Sequence, residues 1–417
     1  MIRQIWKHTV FQNTASLYLI QFVQYLLPLI TVPYLVRVLG PTIYGTIAFG
    51  QSLIAIFMLF TDYGFRLSAT RKISVERNDK LAVSSTAMNV WGGKVLICLV
   101  GLLFLFILIN TIPKFREINL VLVLLYGTVI GSVIFPIWLF LGMEKMVFIS
   151  VINLIMQVFI TIGIFALVNK PADALIYVGL LSAGALTAGV TGAIVAIKIF
   201  HLKLHFPSLR SIHGALVEGW TLFLSNTSVS LYTAGNPLIL GFLSNNTVVG
   251  YYVAAERIVK LVVKLLEPIS QAAYPRMSKL ATESKDFVLY WAKRALFLQG
   301  GLGFGLSLIL FFGSPLIVGV LFGESYFPSI LVMRILSPLP FLIGIGTSFG
   351  RFILLPFRYD KARFIIFLMA GGINILLAVL LVPRFSSSGM AVAVLLSEIF
   401  VVTLFYLFLR SKGLNPV

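Results

Sequence analysis

The sequence is poor in acid, in histidine and in thiol. Its 417 residues hold only 14 Asp and Glu against 32 Lys and Arg, with four His and one Cys. A single cysteine excludes an intrachain disulfide, and Cys98 lies inside an apolar run, where it reads as a packed core thiol rather than a nucleophile. His201 and His205 are four apart, a spacing that suits a metal on a helix, yet no carboxylate or cysteine accompanies them, so no metal site is expected. There is no Gly-rich loop ending in Lys-Ser/Thr, no His-Glu-x-x-His and no aspartate-rich diphosphate motif. ATP hydrolysis and metal catalysis therefore have no visible equipment; the chain is expected not to be an enzyme and to need no cofactor.

Charge of either sign is also scarce. Only 11% of residues are charged and 59% are hydrophobic, with mean hydropathy +1.01, whereas soluble domains are about a quarter charged. Apolar runs of about 20 residues, the length that crosses a bilayer, recur almost end to end. Runs such as 95–109 and 120–141 are continuously apolar and do not alternate, which excludes a β-barrel and leaves helices. About twelve transmembrane helices are expected, at 13–37, 43–62, 86–110, 118–141, 147–168, 174–198, 217–242, 247–272, 292–321, 330–355, 364–382 and 388–409. Arg3 and Lys7 precede a first run too long for a signal peptide, so it is read as a helix that stays.

The net charge of +18 falls mostly in the segments 66–80, 198–210, 276–294 and 358–363. With both termini in the cytoplasm these are all inside, as the positive-inside rule requires, so the charge reports topology and not nucleic-acid binding. The basic segment at the middle divides the chain into an N-terminal six-helix bundle over 1–200, a cytoplasmic linker over 201–216 and a C-terminal six-helix bundle over 217–417. Asn13 to Tyr18 echoes Asn226 to Tyr232, Pro28-Leu29-Ile30 echoes Pro237-Leu238-Ile239, and Gly45 pairs with Gly250. Six helices return the chain to its starting side, so the repeat is parallel: an all-α integral membrane fold of two bundles related by a pseudo-twofold around a central cavity.

Charges inside the spans are the most informative residues, because a Lys or Arg at mid-bilayer costs about 3 kcal/mol on insertion scales. The eighth span holds Glu256, Arg257, Lys260, Lys264 and Glu267 on a stripe of about 100°. Arg257 stands about 15 Å from the outer end, near the midplane. Glu256 with Lys260 and Lys264 with Glu267 are spaced to neutralise each other. Lys94, Arg334 and Arg351 add in-span cations, and Arg37 closes the first helix. Together Arg257, Lys260, Lys264, Arg37, Lys94, Arg334 and Arg351 suggest a cationic lumen for an anionic cargo, since Arg makes bidentate contacts to phosphate at any physiological pH. Asp62, Glu256, Glu267 and Glu398 are the carboxylates suited to proton or sodium coupling; Asp62 and Glu267 stand at the same interval as Gly45 and Gly250. Prolines at 28, 33, 237, 268, 338 and 340 allow helices to bend, as alternating access needs.

Several segments also resemble one family. Pro33 to Pro41 (PYLVRVLGP) with Tyr44-Gly45, then Asp62-Tyr63-Gly64 and Ala69-Thr70-Arg71, then Gly250 to Ile258 (GYYVAAERI), Tyr274 to Leu280 (YPRMSKL) and Phe322 to Tyr326 (FGESY) before Arg334 resemble the bacterial O-antigen (Wzx-type) flippases. These form the polysaccharide-transporter branch of the multidrug/oligosaccharidyl-lipid/polysaccharide exporter superfamily. The resemblance implies a multi-pass protein of the bacterial inner membrane that moves undecaprenyl-pyrophosphate-linked oligosaccharide, an O-antigen or related repeat unit, from the cytoplasmic to the periplasmic leaflet. Partners would be that cargo, membrane lipid and other polysaccharide-assembly proteins. A drug/cation antiporter of the same superfamily would favour an acidic cavity, and a membrane polysaccharide polymerase would need a large outer loop; the sequence shows neither.

Overall fold

A computed structural model describes the backbone of residues 2–283 and 285–414, and the side chains of 26–220, 223, 235–271, 273–274, 277–278, 280–281 and 285–414. The echo between Asn13–Tyr18 and Asn226–Tyr232 lies outside the described side chains. Every regular element among the described residues is helical. The first are α1 (Ile2–Asp62), α2 (Phe65–Glu76), α3 (Lys80–Thr111), α4 (Pro113–Glu117), α5 (Asn119–Ile134), α6 (Ile137–Gly142), α7 (Met146–Leu167) and α8 (Ala174–Phe200). They continue with α9 (Leu209–Ala234), α10 (Asn236–Leu243), α11 (Asn246–Lys264), α12 (Glu267–Glu283), α13 (Lys285–Leu321), α14 (Pro328–Leu336), α15 (Leu339–Phe349) and α16 (Asp360–Ser411).

Eight helical stretches among the described residues are long and apolar enough to cross a membrane. Two of them carry two expected spans each. The stretch of 52 residues over Asp360–Ser411 would extend about 78 Å at 1.5 Å per residue, far beyond a 30 Å hydrocarbon core. It bends instead at Ser386 (φ 51°, ψ −129°), and α1 bends in the same way at Gly40 (φ 69°, ψ 169°), a left-handed conformation open to glycine. The seventh and eighth expected spans correspond to α9–α10 and α11. Apolar side chains face outward as lipid-facing residues must: Leu99, Leu103 and Phe106 of α3 are all more than 60% exposed.

The chain packs as two compact units. Unit 1 comprises Met1–Leu39 and Gly50–Thr227, and unit 2 comprises Gly40–Phe49 and Ser228–Val417. The boundary between units falls within α9, which itself starts inside the stretch read as a linker at 201–216, and unit 2 takes in a piece of α1. Unit 1 centres on Trp138, Leu139 and Phe140 of α6, fully buried against Phe65, Ile73 and Ala87. Unit 2 centres on Phe352, Ile353 and Leu354, with Ala370, Phe405 and Leu409.

Helix breaks differ from expectation at three places, each for a local reason. The eighth span is not one helix: α11 ends at Lys264 and α12 begins at Glu267, so Glu267 leaves the stripe that was drawn through it. The tenth span divides before Pro338 and Pro340, and then relaxes into a π-helical turn over Gly350–Leu354. The fourth breaks at Phe135–Pro136. Pro136 has no N–H for the carbonyl of Ser132, four residues back; the Lys94 ammonium donates to that oxygen instead, at 3.1 Å. Trp91, one turn earlier on α3, donates its indole N–H to the Ile134 carbonyl at 3.1 Å.

Candidate functional site

In unit 2, the segment Gly40–Phe49 lies tightly on α10 and α11. Thr42 and Thr247 share a hydroxyl hydrogen bond of 2.8 Å, and the Asn246 amide donates to Thr46 at 3.0 Å. Gly45 and Gly250 allow this approach: a Cβ on Gly45 would fall onto the Asn246 carbonyl and 2.6 Å from the Gly250 nitrogen, and one on Gly250 would fall onto the Pro41 carbonyl. The two glycines that the sequence paired as repeat equivalents are thus in contact with each other's helices. Two turns further along α11, the Arg257 guanidinium lies over the ring of Tyr44 at 5.1 Å, and Tyr44 is 1% exposed. A cation on an aromatic face in a low-dielectric setting gains about 2 kcal/mol. The neighbouring Glu256 is committed elsewhere: it accepts from Lys260 at 2.9 Å and from the Tyr252 hydroxyl at 3.0 Å.

The other in-span charges sort into two pockets. A cavity of about 370 Å³ in unit 2 gathers Lys264, Glu267, Arg351 and Glu398, and with them Arg363. The π-helical turn carries Arg351 into this wall, and such turns often mark functional positions. At its base Gln299, wholly buried, donates to Ser270 at 2.6 Å and accepts from Ser348 at 3.3 Å. Three cations face two carboxylates, an arrangement that favours one further oxyanion. A second cavity of about 370 Å³, in unit 1, is lined by Asp62, Arg66, Lys94, Thr128 and Asn153. Lys94 is only 2% exposed.

Besides Glu256, Arg257 and Lys260 on α11, Arg37 and Arg334 belong to neither pocket. Arg37 is exposed on α1. Arg334 is exposed on α14, donating to Ser314 at 3.1 Å with its guanidinium 5.8 Å from the ring centre of Phe311. Sequence reasoning assigned Arg363 to a cytoplasmic basic loop and passed over Tyr44, Asn153 and Gln299. The two amides carried a usable signal as polar side chains within apolar runs, Gln299 alone in its run and Asn153 one turn before Gln157. No group of His, Cys, Asp and Glu among the described residues could hold a metal ion.

A family model described as "Polysaccharide biosynthesis protein" matches residues 10–281, which includes the whole unit 1 pocket and the Tyr44–Arg257 contact. The chain belongs to this family. It is 32% identical to a protein of Escherichia coli (strain K12) named "Putative O-antigen transporter", over 97% of each chain. A protein of Shigella dysenteriae with the same name is 28% identical over 94% of this chain and 98% of that one. Among solved structures, the fold resembles "Lipid II flippase MurJ, inward closed conformation" with TM-score 0.78 at 15% identity, covering 95% of this chain and 87% of that one. It also resembles an inward-facing multidrug resistance transporter of the MATE family, with TM-score 0.66 at 13% identity over 93% of this chain and 98% of that one. Family, relatives and fold therefore agree with the resemblance to O-antigen flippases drawn from the motifs, and the protein is an all-helical, multi-pass membrane protein of the transporter type.

Proposed function

We propose that the protein is a flippase for lipid-linked oligosaccharide in the bacterial inner membrane. Its cargo is an undecaprenyl-pyrophosphate-linked O-antigen or related repeat unit, moved from the cytoplasmic to the periplasmic leaflet by alternating access. The observation that carries this reading is Arg257, a guanidinium midway along a membrane helix, seated on the Tyr44 ring while the adjacent carboxylate is held by Lys260. A pyrophosphate can replace the ring as the partner of that guanidinium and form two parallel N–H···O bonds. The polyprenyl tail needs no protein path, because it is as apolar as the lipid around it; the sugars and phosphates do. The name borne by the relatives, O-antigen transporter, supports the same cargo class.

Transport requires different affinities in the two facing states, because equal affinity shifts nothing. Protons or sodium acting on Asp62, Glu267 or Glu398 supply that difference in this reading, Glu256 being the fourth candidate. The Lys- and Arg-rich segments face the cytoplasm, as do both termini, and other assembly proteins dock on them.

The test is leaflet-to-leaflet transfer of a fluorescent polyprenyl-pyrophosphate-linked sugar in proteoliposomes, comparing the parent chain with Arg257→Ala and Arg257→Lys at equal insertion. Loss of transfer in Arg257→Ala with partial retention in Arg257→Lys supports the reading. Full transfer by Arg257→Ala reduces Arg257 to a packing residue. Failure of the parent chain itself, with proton-driven efflux of organic cations instead, replaces the flippase with a drug antiporter.

A further inference from the structure

The two pockets are copies of one another. The interval from Gly45 to Gly250 also carries Met58 to Val263, Asp62 to Glu267 and Lys94 to Gln299, and all of these last six line their cavities. A second interval, from Gly131 to Gly346, carries Thr128 to Ile343, Ser132 to Thr347 and Phe135 to Gly350, again all lining positions. On the sixth and twelfth expected spans, Ala185 and Ala188 match Glu398 and Val401 in the same way. Each half of the chain has therefore kept a pocket inside its own helices.

The copies differ where it matters for a ligand. In unit 2 the deep polar group, Gln299, is satisfied by the protein's own hydroxyls, Ser270 and Ser348. Counted by the same intervals, Phe65 and Val133 stand in their places in unit 1, both buried and neither able to hydrogen-bond through its side chain. The unit 1 counterpart of Gln299 is Lys94, an ammonium with three N–H donors. Its hydrogen bond runs to the Ser132 carbonyl, so the protein's carbonyl takes one donor and the cavity side keeps the rest. Around the same space stand the Asp62 carboxylate, the Asn153 amide and the Thr128 hydroxyl, with Phe135 and Ile137 as apolar wall.

We propose that the unit 1 pocket is a saccharide subsite that seats one sugar ring of the transported glycan. This rests on the lipid-linked oligosaccharide reading above and adds which part of the cargo is recognised, and by which residues. Adjacent donors and acceptors suit vicinal hydroxyls, each of which donates and accepts: Lys94 donates, Asp62 accepts, and Asn153 does both. Arg66 and Lys94 face Asp62 across this space, so the choice of a sugar over a free anion rests on the neutral Asn153 amide and the apolar wall, not on net charge. The apolar wall suits the C–H face of a pyranose, and about 370 Å³ lies at the small end of the roughly 300–1,000 Å³ range of ligand pockets. The unit 2 copy, with its polar base closed by serine hydroxyls and its wall rich in Arg, is not a second sugar site.

The experiment uses the full chain in proteoliposomes with two fluorescent probes, polyprenyl pyrophosphate bearing one N-acetylhexosamine and bare polyprenyl pyrophosphate. Asn153→Ala and Thr128→Val remove polar groups that line the cavity without touching the Lys94–Ser132 bond, Thr128→Val also removing the hydroxyl's bond to the Leu125 carbonyl. The expected result is a fall of about tenfold in the ratio of sugar-bearing to bare probe transferred, the effect of one lost buried hydrogen bond. An unchanged ratio in both variants, whether transfer falls or not, overturns the subsite. If the parent chain moves neither probe, the flippase reading fails on its own. The pocket is then decided by labelling Ala185→Cys, at a lining position that makes no polar contact to the sugar in this reading, with a polar thiol reagent in a Cys98→Ala background. Protection by methyl N-acetylglucosaminide retains the saccharide site, and absence of protection rejects it.

Discussion

Replacement of Gly45 by alanine should loosen the seam between the Gly40–Phe49 segment and α11. Ordinary van der Waals contact to carbon begins at about 3.4 Å, and the added Cβ would stand 2.6 Å from the Gly250 nitrogen and closer still to the Asn246 carbonyl. The backbones must separate by at least about 0.8 Å at that nitrogen, and by more at the oxygen. The Thr42–Thr247 hydrogen bond, 2.8 Å in the parent, then exceeds 3.5 Å. Overpacking of this kind costs about 1–3 kcal/mol, which lowers the population with the seam closed by about 5- to 150-fold. Disulfide formation between Thr42→Cys and Thr247→Cys, in a Cys98→Ala background, reports that population. Crosslinking should be rapid with Gly45 present and at least fivefold slower with Gly45→Ala. An equal rate in the two backgrounds, with both folded, would refute the close-approach argument. Gly250→Ala should act in the same direction, since its Cβ meets Pro41 from the other side.

Three further outcomes follow from other contacts. Gln299→Leu removes two buried side-chain hydrogen bonds while Ser270 and Ser348 keep the Leu266 and Gly344 carbonyls as acceptors, so detergent-solubilised protein should lose about 0.5–1.5 kcal/mol of stability, read as a lower midpoint of thermal unfolding; Ser270→Ala, which strands the buried amide N–H, should cost more. Pro136→Ala restores an N–H that can pair with the Ser132 carbonyl, so α5 and α6 should join and Lys94 lose its acceptor; faster modification of Lys94 by an amine reagent checks this, and unchanged reactivity counts against the capping role. Glu256→Gln removes the partner of Lys260, leaving a half-exposed ammonium in a membrane helix. Because exposure screens that pair, a loss below about 1 kcal/mol is expected, measurable as a small fall in the unfolding midpoint, whereas Glu256→Leu, which also strips the Tyr252 hydroxyl of its acceptor, should cost more.

How legible the site was depended on the range of the contacts involved. Lys94, Asp62, Lys264, Glu267, Arg351 and Glu398 stood out as charges in apolar runs, because the cost of burying a charge in lipid is a property of the residue and its neighbours in sequence. Their partition into two pockets was not legible, since it depends on which helices pack together within each unit. Arg363 looked like a loop charge until the pocket placed it beside Arg351. Tyr44 is an unremarkable aromatic residue in sequence, and only the approach of α11 makes it the platform of Arg257. The continuous stripe through the eighth span failed at Leu265–Leu266, where periodicity alone gave no warning of a break.

The sequence by itself determined that the protein lives in a membrane and is helical, because a backbone in lipid must bond within its own segment and apolar runs of that length allow nothing else. Its internal repeat was also written there, in Gly45 and Gly250, two positions where an added side chain would collide with backbone. Tertiary structure decided what the polar residues do. A buried lysine becomes the cap of a carbonyl that Pro136 left without a donor only once α3 lies beside α5. The same fold point in the second half holds a glutamine closed off by two serines. Hydrogen bonds and ion pairs act over about 3 Å between groups far apart in the chain, and that distance is set only when the helices pack.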